Sequence, residues 1–468
     1  MSRVPRATAF ACAAVSLVLS GCVAERDYWN DGDLRALFAN APSEPPAKTP
    51  ASVPAAPSVA TSISAAPAPL APPNFGSELS AEAAIKAVLE RNPGIDEMRA
   101  AAEAAAARYQ QVTSLDDPGF SFNTAPGSAW STNTSYAARV EFSQKFLYPG
   151  KRNLKGQIAT AEAEAASQDV DDLRLSLIAA TKSAIADYYL AEKGHQVAME
   201  NQKLLREFRQ NAETRYKTGV GQQQDMLQAD VELARTEERL VAVRRIKQVA
   251  IARLNTLMHA SPDNPLPPPA EIRPDAALPE APALRALAAR SRPDFKAASD
   301  RLTAEESALA LAQREYKPDF ELMTAYDGFW QGQNGRPLQW QVGARMNLPV
   351  RYARRTGAVM EAQAKLVQRR AEVAKLADRI NYEVQESWEQ VREAEEVVRL
   401  YAGKVLPAAE ANVKEAQSGY VAGRVPFLNL VEAQRNRVGL RNRYYEAIAE
   451  SLRRRAALER VVGKPLAR

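Results

Sequence analysis

The sequence contains two copies of one unit, and this internal duplication limits the possible folds more than any other feature of the chain. Three proline motifs of the first half return at an offset of 200 residues (93 to 293, 118 to 318, 149 to 349): Asn92-Pro93 as Arg292-Pro293, Asp117-Pro118 as Lys317-Pro318, and Tyr148-Pro149 as Leu348-Pro349. The sequence therefore predicts two structural repeats, 78–262 and 285–468, joined by the proline-rich connector 263–284.

A turn with glycine also occurs twice, as "RYKTGVGQQQDMLQA" at 215–229 and as "GYVAGRVPFLNLVEA" at 419–433. The offset here is 204 residues (219 to 423), so the second repeat has gained four residues before its turn. Four residues are close to one helical turn of about 3.6 residues. The helix before the second turn therefore keeps nearly the same face.

Each repeat changes its hydrophobic period twice. Residues 80–112 carry small and apolar residues among good helix formers, which predicts a helix. Alternating apolar and polar residues then predict two strands per repeat, in the β-hairpins 117–147 and 317–350. The alternation is clearest in the second strand of each hairpin and weaker in the first: 135–147 and 338–348, against 118–125 and 318–329.

Long runs with few helix breakers follow each β-hairpin and predict helical hairpins at 153–258 and 353–463. A helix over 153–217 would extend roughly 100 Å at about 1.5 Å per residue, which no single globular core needs. Such helices bury their apolar stripes against one another in a coiled-coil-like array. Gly403 and Pro407 are expected to interrupt the second long helix.

The predicted fold class is mainly α with a β-barrel portion. Four strands cannot close a membrane barrel alone, because single-chain barrels have at least about eight strands. A soluble sandwich would need a second sheet, for which the sequence has no further strands. The four strands must therefore pair with strands of other chains.

The N-terminus has the pattern of an exported protein. Arg3 and Arg6 precede an apolar run that suits a signal peptide and is too short to anchor a protein in a bilayer. The run ends in "LSGC", which resembles the lipobox of bacterial lipoproteins, so we expect a signal peptide at 1–21 and lipidation of Cys22. An ordinary signal peptide followed by a chance cysteine is the alternative.

Residues 22–77 are predicted to form a lipidated N-terminus and a Pro/Ala-rich linker, because 42–73 consists almost entirely of Pro, Ala, Ser and Thr and holds too little bulky apolar surface to fold. By resemblance to enteric lipoproteins, Val23 favours delivery to the outer membrane. Cys12 would leave with the signal peptide, so no disulfide is expected in the mature chain.

The remaining composition argues against several other functions. The net charge is +5, yet export argues against a nucleic-acid partner, and Arg453-Arg454-Arg455 is interpreted as a solvated helix face. His195 and His259 are the only histidines and have no ligand spacing. No nucleophile motif or phosphate loop is present. No enzyme activity, cofactor or bound metal is therefore expected.

The order of these elements resembles the TolC family of outer-membrane efflux factors over residues 78–465. The motifs that carry the resemblance are "NPGI", "PGKR" and "YKTG" with "DMLQA", together with their duplication. The resemblance implies a homotrimer whose chains give four strands each to one transmembrane barrel, and whose helices form a hollow periplasmic tunnel. It also implies a periplasmic adaptor (membrane fusion) protein, an inner-membrane RND-type pump and outer-membrane lipid as partners.

The resemblance also implies roles for the two repeated turns, which would meet at the periplasmic mouth of the tunnel. The family's gate positions fall on Asp225 in the first turn and on Asn429 and Glu432 in the second. The tips that dock the adaptor are expected to comprise six residues: Gly219, Val220, Gly221, Gly423, Arg424 and Val425. For the docking tips the alternative is an ordinary pair of helix ends, and for the gate positions it is a solvated helix face.

The function implied is an outer-membrane channel that gives drugs or heavy-metal cations a passive exit. Two alternatives stay open, a lipid-anchored periplasmic coiled-coil scaffold and the outer-membrane component of type I protein secretion. The scaffold would leave the duplicated strands unexplained. Neither the transported substrate nor the pump can be read from the sequence.

Overall fold

The computed structural model describes residues 75–124, 126, 138–272, 278–328 and 340–466. These residues belong to one compact unit, Ala68–Arg468. The expected signal peptide, the lipidation site Cys22 and nearly all of the linker lie outside the described residues, as do the first three residues of the strand predicted at 135–147.

The first repeat consists of two short helices, a β-hairpin and a long helical hairpin. Its elements are α1 (Ala81–Arg91), α2 (Pro93–Thr113), β1 (Gly119–Thr124), β2 (Ala138–Phe146), α3 (Lys151–Lys217) and α4 (Gln223–Leu257).

The second repeat has the same order of elements. They are α5 (Ala281–Ser291), α6 (Pro293–Arg314), β3 (Phe320–Gly328), β4 (Trp340–Met346), α7 (Tyr352–Leu400), a π-helical segment (Tyr401–Val405), α8 (Leu406–Val421) and α9 (Phe427–Val462). The predicted combination of long helical hairpins with four strands is confirmed.

The prediction of one continuous helix over 80–112 is wrong, because the chain breaks at Asn92. Asn92 is extended with ψ 118, as expected for a residue that precedes proline. Its side-chain oxygen accepts a hydrogen bond of 3.0 Å from the Gly94 N–H, so Asn92 caps α2. Arg292 before Pro293 causes the same break between α5 and α6.

The first long helix, α3, is continuous over 67 residues. The expected irregularity of the second takes the form of the π-helical segment around Gly403, where the Leu406 N–H bonds to the Tyr401 carbonyl five residues back. Pro407 lies directly after this segment and has no N–H to continue the α-helical pattern. The chain direction is therefore kept while the hydrogen bonding changes.

The four strands form one antiparallel sheet in the order β1-β2-β3-β4. The central pair joins the two repeats, from Ala138 opposite Gly328 to Phe146 opposite Phe320. β1 and β4 are the edges of this sheet. No described helix is both long and apolar enough to cross a bilayer.

The two faces of the sheet differ as the alternation predicts. One face is apolar and exposed in the single chain; its large side chains are Phe120, Phe122, Phe142, Leu322, Tyr326, Trp340 and Val342. On the other face Arg139 donates to Gln341 (2.7 Å) and lies 3.2 Å from the carboxylate of Asp327. An exposed apolar face of this extent needs a lipid or protein environment.

Each repeat has its own small core where its first helix packs on its helical hairpin. In the first repeat Val88 of α1 packs with Tyr188 of α3 and Leu254 of α4. In the second repeat Leu284 of α5 packs with Val384 of α7 and Leu458 of α9. Each core therefore fixes the first helix of its repeat against the helical hairpin of the same repeat.

Candidate functional site at the two helical tips

The turns α3–α4 and α8–α9 have the same backbone structure. In the first, the N–H groups of Val220 and Gly221 both bond to the Arg215 carbonyl, at 3.0 and 2.9 Å. In the second, those of Arg424 and Val425 both bond to the Gly419 carbonyl, at 2.9 and 3.2 Å. The repeated turn of the sequence is thus one structural motif formed twice.

Glycine is required at equivalent points of both turns. Gly219 and Gly423 have φ of 76° and 73°, a left-handed conformation that side chains with a Cβ rarely adopt. Both residues end a helix in the way that a C′ glycine does.

A second glycine occurs on opposite sides of the two turns. A Cβ on Gly221 would lie 2.9 Å from the Cβ of Arg215, and a Cβ on Gly419 would lie 2.5 Å from a methyl of Val425. Arg215 and Gly419 are equivalent positions, as are Gly221 and Val425. The motif therefore has room for only one side chain at this contact. The first turn keeps Arg215 and has glycine at 221, whereas the second turn keeps Val425 and has glycine at 419.

The two tips of one chain pack on each other through an apolar cluster. Leu205 and Phe208 of α3 contact residues of the second hairpin, among them Tyr420 of α8 and Leu430 of α9. The rings of Tyr420 and Phe427 lie 5.3 Å apart. The hairpins of one chain are thus held together at the tips.

Tyr420 is the polar link between the tips. Arg215 stacks 4.9 Å above its ring and donates to the carbonyls of Tyr420 (3.1 Å) and Val421 (3.0 Å), which end α8. The Tyr420 hydroxyl donates to Asp225 at 3.3 Å. Burial, and then the nearby Asp225 carboxylate, raise the pKa of Tyr420 to about 12, so the hydroxyl keeps its proton at neutral pH.

An ion pair with a buried carboxylate also joins the hairpins at the tips. Arg435 of α9 binds both carboxylate oxygens of Glu232 of α4, with Nε 2.9 Å from Oε2. Glu232 is 6% exposed. The Arg435 hydrogen bonds, followed by the Arg435 charge, hold the pKa of Glu232 below its usual range.

Asn429 and Glu432 lie elsewhere, in an open groove of about 860 Å³ along α8 and α9. Both are exposed, and Arg435, Asn436 and Arg443 also line the groove. The structure therefore separates the three predicted gate residues into two environments. Asp225 is hydrogen-bonded between the hairpins, whereas Asn429 and Glu432 face open space.

The six predicted docking residues also differ in exposure. Gly219, Val220, Gly423 and Arg424 are exposed at the ends of the hairpins, with Val220 at 69%. Gly221 and Val425 are half-buried and take part in the glycine contacts. The first four form the surface that a docking partner can reach.

Sequence reasoning missed Tyr420, Glu232 and Arg435. A signal for Tyr420 exists, because Tyr216 and Tyr420 both stand three residues before the left-handed glycine of their turns. Only Tyr420 is buried, while Tyr216 is 45% exposed. No local pattern pairs Glu232 with Arg435, which are far apart in the chain.

The comparisons with known proteins agree with this arrangement. The family model described as "Outer membrane efflux protein" matches residues 84–259, which spans most of the first repeat. The second repeat has the same elements and the same turn. The first repeat of the chain is thus similar to the outer membrane efflux protein family. This match supports a function in efflux at the outer membrane.

Solved structures share the fold over most of this efflux protein. CusC, studied for its folding and transmembrane channel formation, has a TM-score of 0.70 at 15% identity, covering 85% of this chain and 98% of CusC. VceC of Vibrio cholerae has a TM-score of 0.68 at 17% identity, covering 82% and 96%. The open-state channel MtrE of Neisseria gonorrhoeae has 0.67 at 16%, covering 83% and 90%.

A sequence search of curated proteins gave no significant match to this efflux protein. Within the described part of the chain, no group of three or more His, Cys, Asp or Glu side chains is placed to hold a metal ion.

Proposed function

We propose that this efflux protein is a trimeric outer-membrane duct that receives drugs or heavy-metal cations from an inner-membrane RND-type pump through a periplasmic adaptor. The open sheet is the observation that carries this proposal. Within the described residues, β1 and β4 each pair with one neighbouring strand only, and the apolar face is exposed. Edges in a bilayer must be paired, since no water is available to satisfy them.

A closed ring of three chains satisfies both requirements. β4 of one copy pairs with β1 of the next, which gives twelve strands, above the minimum of about eight for a barrel. A lipid-anchored scaffold of coiled coils would leave the apolar face exposed to water. A type I secretion channel needs the same barrel and differs only in its pump.

The tips supply the docking surface in this proposal. Val220 and Arg424 are exposed at equivalent positions of the two turns. A ring of three chains would therefore present six exposed side chains at its periplasmic end. Asp225, Asn429 and Glu432 then supply the polar groups of the mouth. Carboxylates in a narrow aqueous throat favour cations and repel anions.

The N-terminus adds a second attachment to the outer membrane. We propose that Cys22 is lipidated after removal of 1–21, and that 22–77 leads from the bilayer to the folded part. Lipid chains alone bind membranes reversibly, so their role here is to hold the chain at the membrane before the barrel closes.

Purification and planar-bilayer recording test the proposal. The detergent-solubilised protein should be a trimer and should form cation-preferring pores. A monomer without pore activity would contradict it. The substrate class is tested by comparing a deletion strain with its parent for survival on copper or zinc and on dyes or antibiotics.

Adaptor docking is tested by replacing Val220 and Arg424 with Asp and measuring crosslinking to the adaptor in cells. The expected result is loss of the crosslink with the trimer intact. Glu238→Lys, an exposed change on α4 away from the tip, serves as the matched control. Equal crosslinking in the tip variant and the control would remove the tips from docking.

A further inference from the structure

The junction between the sheet and the helices contains a buried lysine that joins the two repeats of one chain. Lys151, at the start of α3, is 1% exposed. Its ammonium group donates to Asp319 (3.0 Å), Glu315 (3.3 Å) and the Lys317 carbonyl (3.1 Å). Asp319 also accepts the Tyr148 N–H at 2.9 Å. A buried cation with several partners of this kind fixes the geometry of its surroundings.

This contact joins two kinds of link. Residues 147–152 lead from a strand into a long helix, and 314–319 lead from a short helix into a strand. Arg314 strengthens the contact by donating to the Pro149 carbonyl at 3.1 Å. The contact is thus between the strand-to-helix link of the first repeat and the helix-to-strand link of the second.

Because the unit is duplicated, the chain has a second strand-to-helix link and a second helix-to-strand link. Both are exposed in the single chain. The strand-to-helix link of the second repeat carries Arg351, at the position of Lys151 by the proline offset and directly before α7. The helix-to-strand link of the first repeat carries Asp116 and Asp117. All three side chains are exposed in the single chain. The signs of the charges match those of the buried junction.

A single chain cannot bring these two links together. Along the sheet the strands run β1 to β4, so the two links lie at opposite edges. Among the helices, α3 lies between α2 and α6, and α6 packs on α7, which leaves α2 and α7 at the two ends of the row. Met360 and Val367 of α7 are 64% and 65% exposed on the uncovered end.

We propose that each interface of the trimer repeats the Lys151 junction between copies, with Arg351 of one copy bound to Asp117 of the next copy. This inference rests on the proposed trimer and deepens it by naming the residues that close the ring. Gly119 stands where the second repeat has Asp319, so the nearest available carboxylates are those of Asp116 and Asp117. Lys145 already lies 3.7 Å from Asp116, which leaves Asp117 as the partner of Arg351.

Charge reversal tests this contact in the full-length trimer. Arg351→Glu and Asp117→Lys should each lower the temperature at which the trimer dissociates in detergent. The double variant should recover more than half of that loss, because every interface then has the pair in reversed order. Arg152→Glu is the matched control, since Arg152 is an exposed cation in the first turn of α3, the helix that corresponds to α7 in the first repeat.

A crosslink keeps the test decisive if a charge variant fails to assemble. The double substitution Arg351→Cys and Asp117→Cys should give covalent dimers and trimers with a short bismaleimide, and either single substitution should give none. If the double-cysteine variant forms a trimer that does not crosslink, the proposed junction is overturned. Equal destabilisation by Arg152→Glu also overturns the junction. Neither result affects the proposed trimer. Absence of a trimer in the parent overturns the proposed channel itself.

Discussion

At the residue scale, the tips depend on a few polar contacts between hairpins that are remote in sequence. Tyr420 binds Asp225 through its hydroxyl and Arg215 through its ring and backbone. The buried carboxylate of Glu232 pairs with Arg435 nearby. Because each contact joins the first hairpin to the second, loss of either one should loosen the tips without unfolding the repeats.

Tyr420→Phe is expected to increase conductance in planar bilayers and to weaken block by divalent cations. The change removes the 3.3 Å hydrogen bond to Asp225 and keeps the ring against Phe427 and Arg215. The bond contributes about 1.5–3 kcal/mol, since its acceptor is charged. Tyr216→Phe, at the equivalent exposed position, should leave both properties unchanged. Parent-like currents for Tyr420→Phe would exclude this bond from closure.

Replacing Asp225 and Glu432 together by Ala should also raise conductance and should reduce cation preference. The double change removes two carboxylates per chain from the mouth, one hydrogen-bonded and one exposed. Trimer stability should change little, because neither residue contributes to a core. Unaltered ion selectivity in a correctly assembled variant would show that these side chains lie outside the conducting path.

Acid is expected to loosen the tips through Glu232. Its folded-state pKa is depressed below the usual value of 4.5, so the pair with Arg435 is fully stabilising above about pH 4.5 and is lost as the pH falls through the lowered pKa. Limited proteolysis at the tips should therefore increase below about pH 4.5 in the parent. Glu232→Gln should be equally sensitive at all pH values, whereas the exposed control Glu238→Gln should follow the parent.

At the element scale, the two turns show how far a repeat constrains its sequence. The backbone hydrogen bonds are identical, and the left-handed glycine is kept, but the glycine that relieves the close contact has changed sides. What the motif requires is one missing side chain in a pair, not glycine at a fixed position. A side chain at residue 419 should therefore destabilise the second turn, whereas the side chain of the equivalent Arg215 is accommodated in the first turn because Gly221 lies opposite it.

Gly419→Ala is expected to destabilise the second hairpin by about 1–3 kcal/mol, because its Cβ would lie 2.5 Å from a Val425 methyl. Adding Val425→Gly, which restores the arrangement of the first turn, should recover most of the loss. Thermal unfolding followed by circular dichroism measures both. A double variant no more stable than Gly419→Ala would show that the strain has another source.

The faces of the sheet predict a second contrast. Val342→Arg places a charge on the apolar face, where Val342 is 86% exposed, and should cost about 2–4 kcal/mol of assembled barrel. Ser143→Arg lies on the opposite face and should cost little. Gln341, which the alternation alone would class as equally tolerant, bonds to Asp327 at 2.6 Å and is a poor control. Equal recovery of Val342→Arg and Ser143→Arg trimers would refute the assignment of the faces.

The sequence predicted elements better than contacts, and the reason is physical. Periodicity and proline position are local, so the strands, the long helices and the left-handed Gly219 and Gly423 could all be predicted. The break at Asn92 was missed although Pro93 marks it, because the surrounding alanines favour helix on both sides. The pairs Tyr420–Asp225 and Glu232–Arg435 depend on how two hairpins pack, which no local pattern reports.

At the scale of the whole molecule, the proposed channel is attached to the membrane by two parts of the chain that act independently. The sheet supplies a large apolar face, and the proposed lipid on Cys22 supplies a second attachment. Acyl chains alone give weak, reversible binding. The sheet should therefore hold the assembled protein in the membrane without the lipid.

Cys22→Ala should abolish labelling by radioactive palmitate while the trimer still fractionates with the outer membrane. Less trimer is expected at early times after synthesis, because the untethered chains reach the membrane more slowly. The parent and Cys22→Ala should need the same detergent for extraction. Recovery of Cys22→Ala as a soluble monomer would show that the sheet does not form a barrel.

The open edges β1 and β4 also have a genetic consequence. A chain whose two edges fit each other accepts any copy of itself, including a defective one, as its neighbour. In a cell that makes normal and defective chains in equal amounts, only about one proposed ring in eight would contain normal chains alone, if copies mix at random. Defective alleles that keep their edges intact should therefore be dominant, whereas alleles that destroy the edges should be recessive.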